Sequence, residues 1–214
     1  MSQPLRGRQA EAARNDQLVL HAAREVFGEF GFDAPISAVA ERAGVGVGSL
    51  YRRYGSKDEL LQQLCLMSMK QNLRVAEEAL RSRDAWAGLT GYITACVGFS
   101  GGALAPVAGK VEATDEMWRL ARNVQEAIEE LTRRAHAEGT LREDANATDI
   151  AWLIEHFSRG LPSSPSPGDD PIRRRQLAIS LHGLRPGSPE ALPEPVPTWR
   201  DYQARWQDRG VDGA

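Results

Sequence analysis

Cysteine is nearly absent from this chain, and so is any long apolar run. Two cysteines in 214 residues exclude a disulfide framework. Cys65 and Cys96 each sit inside an apolar helical pattern, where a thiol acts as a small core residue in a reducing compartment. The spacings CxxC and HExxH do not occur, so no metal site is expected. No apolar stretch reaches the ~20 residues that span a bilayer. The N-terminal MSQPLRGRQAEAARND lacks the apolar segment of a secretion signal. These absences together predict a soluble, cytoplasmic protein. Neither GxSxG, nor a Walker loop, nor a paired-carboxylate arrangement is present, and His21, His136, His156 and His182 are scattered as surface or core histidines. The expectation is no enzyme and no cofactor. Excess positive charge is lacking too, with a formal net charge of −3. Its distribution is uneven, because residues 1–57 hold eight Lys or Arg against six Asp or Glu, a net of +2 that leaves −5 for the rest. A mildly basic head on an acidic body suits a nucleic-acid-binding module joined to a domain that avoids nucleic acid.

What is present is helical periodicity almost throughout. Val19, Ala22, Ala23, Val26, Phe27 and Phe30 follow i, i+3, i+4 spacing, which predicts an amphipathic helix over Asn15 to Phe30. Gly31 stops it, and Pro35 suits the first position of the next helix. That helix runs to about Ala43, with Ile36, Val39, Ala40 and Ala43 inward. Gly44 makes a turn into a third helix, Val47 to Tyr54. After Gly55, Ser56 stands three residues before Glu59, a capping box that opens a fourth helix reaching about Arg81. Further stripes follow at Trp86 to Val97, Met117 to Leu131, Ile150 to Phe157 and Ile172 to Leu184. Gly101-Gly102 ends the first of these, and LPSSPSPGDDP separates the last two. From Pro186 the chain is rich in proline and polar residues and reads as a loose tail, although TWRDYQARW could form a helical turn or pack on the body. No strand alternation occurs, so the fold class is all-α. The expected division is an N-terminal arm and three-helix helix-turn-helix over 1–57, a C-terminal helical body over 58–185, and a Pro-rich tail over 186–214.

Ile36 to Leu61 is the segment that carries chemistry. Two short helices joined by a glycine turn are the layout of a helix-turn-helix, whose second helix enters the DNA major groove by its first turns. Small residues lead that helix here, followed by Tyr51, Arg52 and Arg53. Ser49 and Tyr51 could donate to phosphate oxygens, and Lys57 could neutralise a phosphate beside the N-terminus of the fourth helix. Adjacent helical residues point about 100° apart, so one of Arg52 and Arg53 would face the groove and the other the flanking backbone. Arg6 and Arg8 would form a minor-groove arm or a solvated terminus. Gly44, Gly46 and Gly48 fail the GxGxxG spacing and read as turn and close-approach positions.

Phe27, Gly31-Phe32, Ala40, Ala43-Gly44-Val45, Gly48-Ser49-Leu50-Tyr51, Tyr54, Ser56-Lys57 and Leu60-Leu61 together resemble the motif of the TetR family of bacterial transcriptional regulators. GVGVGSLYRRYGSKDEL is most similar to a branch whose recognition helix reads GVGxGTLYRRF. The likeness covers roughly the first quarter of the chain. It implies a dimeric, ligand-responsive regulator, a repressor in the usual case, whose helical body binds a small-molecule inducer. It also implies a palindromic operator, with the helices around Ile150–Phe157 and Ile172–Leu184 pairing across a two-fold axis. Two departures matter. Ala34-Pro35 stands where many relatives have Thr and Ser that reach a phosphate, leaving Ser37 as the nearby hydroxyl. Gly46-Val47 stands where many have Ser-Lys, and Val47 can only touch a thymine methyl or pack. The expected DNA contacts are therefore Ser37, Gly46, Val47, Gly48, Ser49, Tyr51, Arg52, Arg53 and Lys57, with specificity resting on the arginines and on DNA shape.

In the body, Trp86, Tyr92, Cys96, Phe99, Met117, Trp118, Trp152 and His156 are aromatic or soft residues with a few polar groups. They suit a pocket for an apolar or aromatic inducer, or they fill the core. Two other readings stay open: a DNA-binding regulator without an inducer, and an all-helical enzyme. A cavity of a few hundred Å3 in the body would favour ligand control, and a filled core would favour a partner protein.

Overall fold

The computed structural model describes residues 4–31, 33–99, 111–158, 171–187 and 190–207, with backbone alone for 4–15 and 205–207. The described residues form helices and no strand: α1 (Pro4–Phe30), α2 (Ile36–Ala43), α3 (Val47–Tyr54), α4 (Lys57–Ala79), α5 (Ala85–Gly98), α6 (Asp115–Ala137), α7 (Ala147–Ser158), α8 (Pro171–Gly183) and α9 (Trp199–Gln207). The fold is all-α, with an N-terminal helix-turn-helix and a helical body.

Helix α1 starts at Pro4 rather than Asn15. Apart from Gly7, the added turns hold Leu, Arg, Gln, Ala and Glu behind a proline, all good helix formers. They carry no apolar stripe, so periodicity marks only the packed half. The side chains of Arg6 and Arg8 lie outside the described residues, as do Gly101-Gly102 and most of the proline-serine loop.

The head closes around Val19, Ala23, Val26, Phe27, Val39, Ala40, Leu50 and Tyr54. The α2–α3 turn depends on Gly44, at φ +67°. There the Gly44 N–H reaches the Glu41 carbonyl, and the Val45 N–H reaches that of Ala40 at 2.9 Å. This is a Schellman ending, which a Cβ at Gly44 would strain. Arg42 of α2 pairs with Glu25 at 2.9 Å and Glu29 at 3.6 Å on α1. Ser56 caps α4, its hydroxyl accepting from the Glu59 N–H at 3.1 Å, so the expected start of that helix is in place.

Helix α4 belongs to both halves. Leu60, Leu61, Leu64 and Cys65 complete the head core, while Ala76 enters the body core with Leu89, Tyr92, Ile93, Leu131 and Ile150. Gly88 lets α5 approach the end of α4, since a Cβ there would lie 2.8 Å from the Ala79 carbonyl oxygen. Arg134 of α6 ties the α4–α5 turn down by donating to the carbonyls of Leu80 and Ser82, both at 2.6 Å.

Residues 190–197 are strapped to the body. The Arg142 guanidinium donates to the Glu190 carbonyl at 2.8 Å, the Leu192 N–H to Asp144 Oδ2 at 2.7 Å, and Asn146 Nδ2 to the Pro197 carbonyl at 3.0 Å. Helix α9 then packs on α7, where Tyr202 meets Trp152 and Trp199 edge-on with centroids 5.5 Å apart in each case. Of the two expectations for TWRDYQARW, the helix packed on the body is the one observed.

Candidate nucleic-acid interface and body cavity

Helix α3 buries Leu50 and Tyr54 and turns Val47, Gly48, Ser49, Tyr51, Arg52 and Arg53 outward. Val47 and Tyr51, one turn apart, are 37% and 47% exposed, so both side chains are open to a partner surface. Gly46 caps the N-terminus of α3 in extended conformation, leaving the first turn open to close approach. Ser37 is exposed on the first turn of α2, and Lys57 is half-buried at the first position of α4. Its ammonium lies 5.6 Å from the centre of the Phe27 ring.

The two arginines differ. Arg52 lies back along its own helix and donates to Ser49 Oγ at 3.0 Å. Arg53 reaches across to α1 and pairs through Nε with Asp16. The same carboxylate accepts from the Tyr54 hydroxyl at 3.1 Å. Asp16 thus fixes α3 against α1 and offsets the charge of Arg53. Sequence reasoning missed it, because its partners are more than thirty residues away and no local pattern marks it.

A cavity of about 140 Å3 opens in the body between α4, α5, α6, α7 and α9. Of the eight residues proposed from sequence, Tyr92, Met117 and Trp118 line it. Cys96 lies just behind, its thiol 3.7 Å from Asn72 Oδ1. The other four do not line it. Trp86 stacks under the Arg185 guanidinium at 4.4 Å, Trp152 backs Tyr202, and Phe99 ends α5 with its carbonyl held by Arg24. His156 is exposed, edge-on to Phe157. Ile128 of the α6 stripe lines it too, and residues that periodicity did not single out complete the wall: Ser68, Met69 and Asn72 from α4, Gln125 from α6, and Trp199, Tyr202 and Gln203 from α9.

The lining is mainly apolar, with a few placed polar groups. The Tyr92 hydroxyl donates to Asn72 Oδ1 at 2.6 Å, and Gln203 Nε2 of α9 donates to Gln125 Oε1 at 3.1 Å. Burial pushes the Tyr92 phenol well above its ordinary pKa and the Cys65 and Cys96 thiols up to about 12. These thiols are unreactive core groups. In volume the cavity falls below the 300–1,000 Å3 of ordinary small-molecule sites. It matches the engineered cavity of about 150 Å3 that binds benzene.

Residues 19–64 match the family model of bacterial regulatory proteins of the tetR family, and residues 84–186 match that of the C-terminal domain of SbtR-like transcriptional regulators. The two matches together span more than half of the chain. Among solved structures, a TetR transcriptional regulator from Streptomyces coelicolor is 24% identical with a TM-score of 0.56, covering 81% of this chain and 99% of that one. A ketosteroid transcriptional regulator of Mycobacterium tuberculosis is 19% identical, with a TM-score of 0.60 and coverage of 81% and 96%. The regulator FadR from Bacillus subtilis, solved in complex with stearoyl-CoA, is 18% identical, with a TM-score of 0.55 and coverage of 80% and 98%. At these identities the likeness speaks for the fold. No curated protein matches the chain. Helix α9 falls beyond the last residue of either family match.

Proposed function

This chain belongs to the TetR family of bacterial regulatory proteins and is a DNA-binding transcriptional regulator; we propose that it is a cytoplasmic, ligand-responsive repressor acting on a palindromic operator as a homodimer. The observation that carries this reading is the double membership of α4. Its N-terminal half packs the head, and its middle, through Cys65, Ser68, Met69 and Asn72, walls the cavity. A molecule that widens the cavity acts on the helix that holds the reading head. To release DNA it must bind the released state more tightly, by a few kcal/mol for a near-complete switch.

At the DNA, Arg52 reads base edges, its hold on Ser49 being a weak surface contact that a guanine can replace. Val47 meets a thymine methyl, and Gly46 and Gly48 admit the backbone. Ser37, Ser49, Tyr51 and Lys57 hold phosphates. Arg53 stays on Asp16 and orients α3. The recognition helix is of the GVGxGTLYRRF type, with Ser49 and Tyr54 in place of Thr and Phe. Helices α7 and α8 pair across the two-fold axis. The 63% and 61% exposure of Ile172 and Ile179 on α8 supports this. Two heads would then sit about 34 Å apart in successive major grooves. The division at 57/58 and 185/186 belongs to the same proposal, with α9 as a part of the tail that serves the body.

Fluorescence anisotropy on the DNA upstream of the protein's own gene, against scrambled DNA over a salt series, tests the reading. Preferential, saturable binding is expected, with a salt slope that drops by about one in Lys57→Ala. Failure to enrich any sequence from random DNA would sink it.

A further inference from the structure

We infer that the body cavity takes an acid, a small apolar or aromatic molecule carrying a carboxylate, and that Arg24 binds its acid group. This rests on the ligand-responsive reading above and names the ligand class for that same site. Arg24 lies on α1, on the side that faces the body. Its Nη1 donates to the Phe99 carbonyl at the end of α5, at 3.0 Å. Its Nη2 makes only a long 3.4 Å contact to Ser68 Oγ on α4, and Ser68 is one of the residues that line the cavity. Nε is buried and has no hydrogen-bond partner among the described residues.

Nε and Nη2 form one edge of the guanidinium, the edge that accepts a carboxylate side-on through two parallel bonds. That edge is the underused one, and it lies beside a cavity wall. Among the described residues the oxygen partners of Arg24 are a carbonyl and a hydroxyl. Arg42, Arg53, Arg81, Arg133 and Arg142 each have a carboxylate within salt-bridge distance. Arg24 has none among the described residues. Burial lowers its pKa. A desolvated cation without a counter-ion is costly to hold, so a ligand carboxylate at Ser68 would relieve a strain already present. The apolar lining of Met69, Met117, Ile128 and Ile154 takes the rest of the molecule, and about 140 Å3 limits that part to roughly one aromatic ring. Because Arg24 belongs to α1 and its Nη1 holds the end of α5, an acid that draws it towards α4 pulls directly on the head.

Matched probes of equal shape decide this: benzoate against benzamide, and octanoate against octanamide, titrated calorimetrically into the full-length protein. The acid of at least one pair is expected to bind about tenfold tighter than its amide, the scale of a charge-assisted bidentate contact. Arg24→Gln is expected to abolish that preference, bringing acid and amide to equal affinity. Where Arg24→Gln does not fold, Ser68→Asp places a carboxylate beside Nη2 and is expected to remove the preference from within. Equal binding of acid and amide, or a preference that survives either substitution, overturns the inference while leaving the cavity as a ligand site. No binding by any probe, with operator binding intact, removes the ligand reading and the inference together.

Discussion

The head and the body are made of the same material, short amphipathic helices meeting on Leu, Ile, Val and Ala, yet the gap in the head is an open groove beside α3, lined by Val45, Ser49 and Leu50, while the gap in the body lies between its helices. In the head, the inward residues of α1, α2 and α3 are almost fully covered, and its helices are pinned from outside by Arg42 on Glu25 and by Asp16 on Arg53 and Tyr54. In the body, α4, α6, α7 and α9 stand around a gap. A reading head must hold a few side chains in fixed positions against DNA, and tight packing does that. A sensor needs room that a ligand can fill. Helix α4 runs through both, so the difference is one of side-chain volume along a single helix rather than of two separate folds.

Truncations of similar chemistry give the largest expected effect and the sharpest form of this contrast. Leu61, 0% exposed in the head core, lines neither gap and is surrounded by atoms, so Leu61→Ala is expected to cost in the upper part of the about 2–5 kcal/mol seen for buried Leu or Ile to Ala. Ile128, 3% exposed, faces the cavity and has fewer contacts to lose, so Ile128→Ala is expected in the lower part of that range. Urea denaturation followed by circular dichroism measures both. Equal costs would mean that the body is packed as tightly as the head, and the contrast would fall.

Backbone spacing gives a second test. Gly88→Ala drives a methyl against the Ala79 carbonyl at 2.8 Å, and a cost of about 1–3 kcal/mol is expected as α5 backs away from α4. The damage lies in the body, so the folded fraction should bind operator with unchanged affinity. A loss of DNA affinity larger than the loss of folded protein would show that the α4–α5 contact also sets the head.

Within the head the two arginines provide a third comparison. Arg52→Ala is expected to weaken operator binding by about 1–3 kcal/mol and to relax the preference at one base pair. Arg53→Ala is expected to weaken all sequences alike, by loosening α3 from α1. Competition anisotropy with single-base operator variants separates the two, and the reverse pattern would exchange their roles.

The head was readable from sequence because its determinants are local. Gly44 and Ser56 act within a turn of where they stand, and the inward stripe of α2 is the buried one. The body was readable only as helices. Periodicity shows which face of a helix is inward but not which neighbour it meets. Trp86, Phe99, Trp152 and His156 were therefore grouped with Tyr92, Met117 and Trp118, although three of the four pack elsewhere and His156 points outward. The contribution of α9 was hidden for a related reason. Nine residues after a proline-rich stretch carry no signal of the distant wall they complete, and the strap of residues 190–197 together with the contacts of Tyr202 and Gln203 holds them there.

That strap gives the smallest expected effect, and it depends on pH. The Asp144 carboxyl is held at about 2, below its ordinary value of 3.8, first by its hydrogen bonds from Arg142 and then by the Leu192 N–H. A carboxylate with a depressed folded pKa lends stability above its unfolded pKa and loses it as the pH falls through the folded one. The contribution of Asp144 is thus complete above about pH 4 and fades between about 4 and 2. The group is exposed and screened, so the global unfolding midpoint at neutral pH should hardly move in Asp144→Ala. The local consequence should be visible, because the residue anchors the chain that leads to Trp199 and Tyr202. Tryptophan fluorescence at neutral pH is expected to shift to the red in Asp144→Ala as the α9 wall loosens, and the wild type should approach that spectrum only on acidification. An unchanged spectrum would mean that Asn146, Gln203 and the Tyr202 ring contacts hold α9 in place by themselves. The body would then keep its cavity closed as firmly as the head keeps its core.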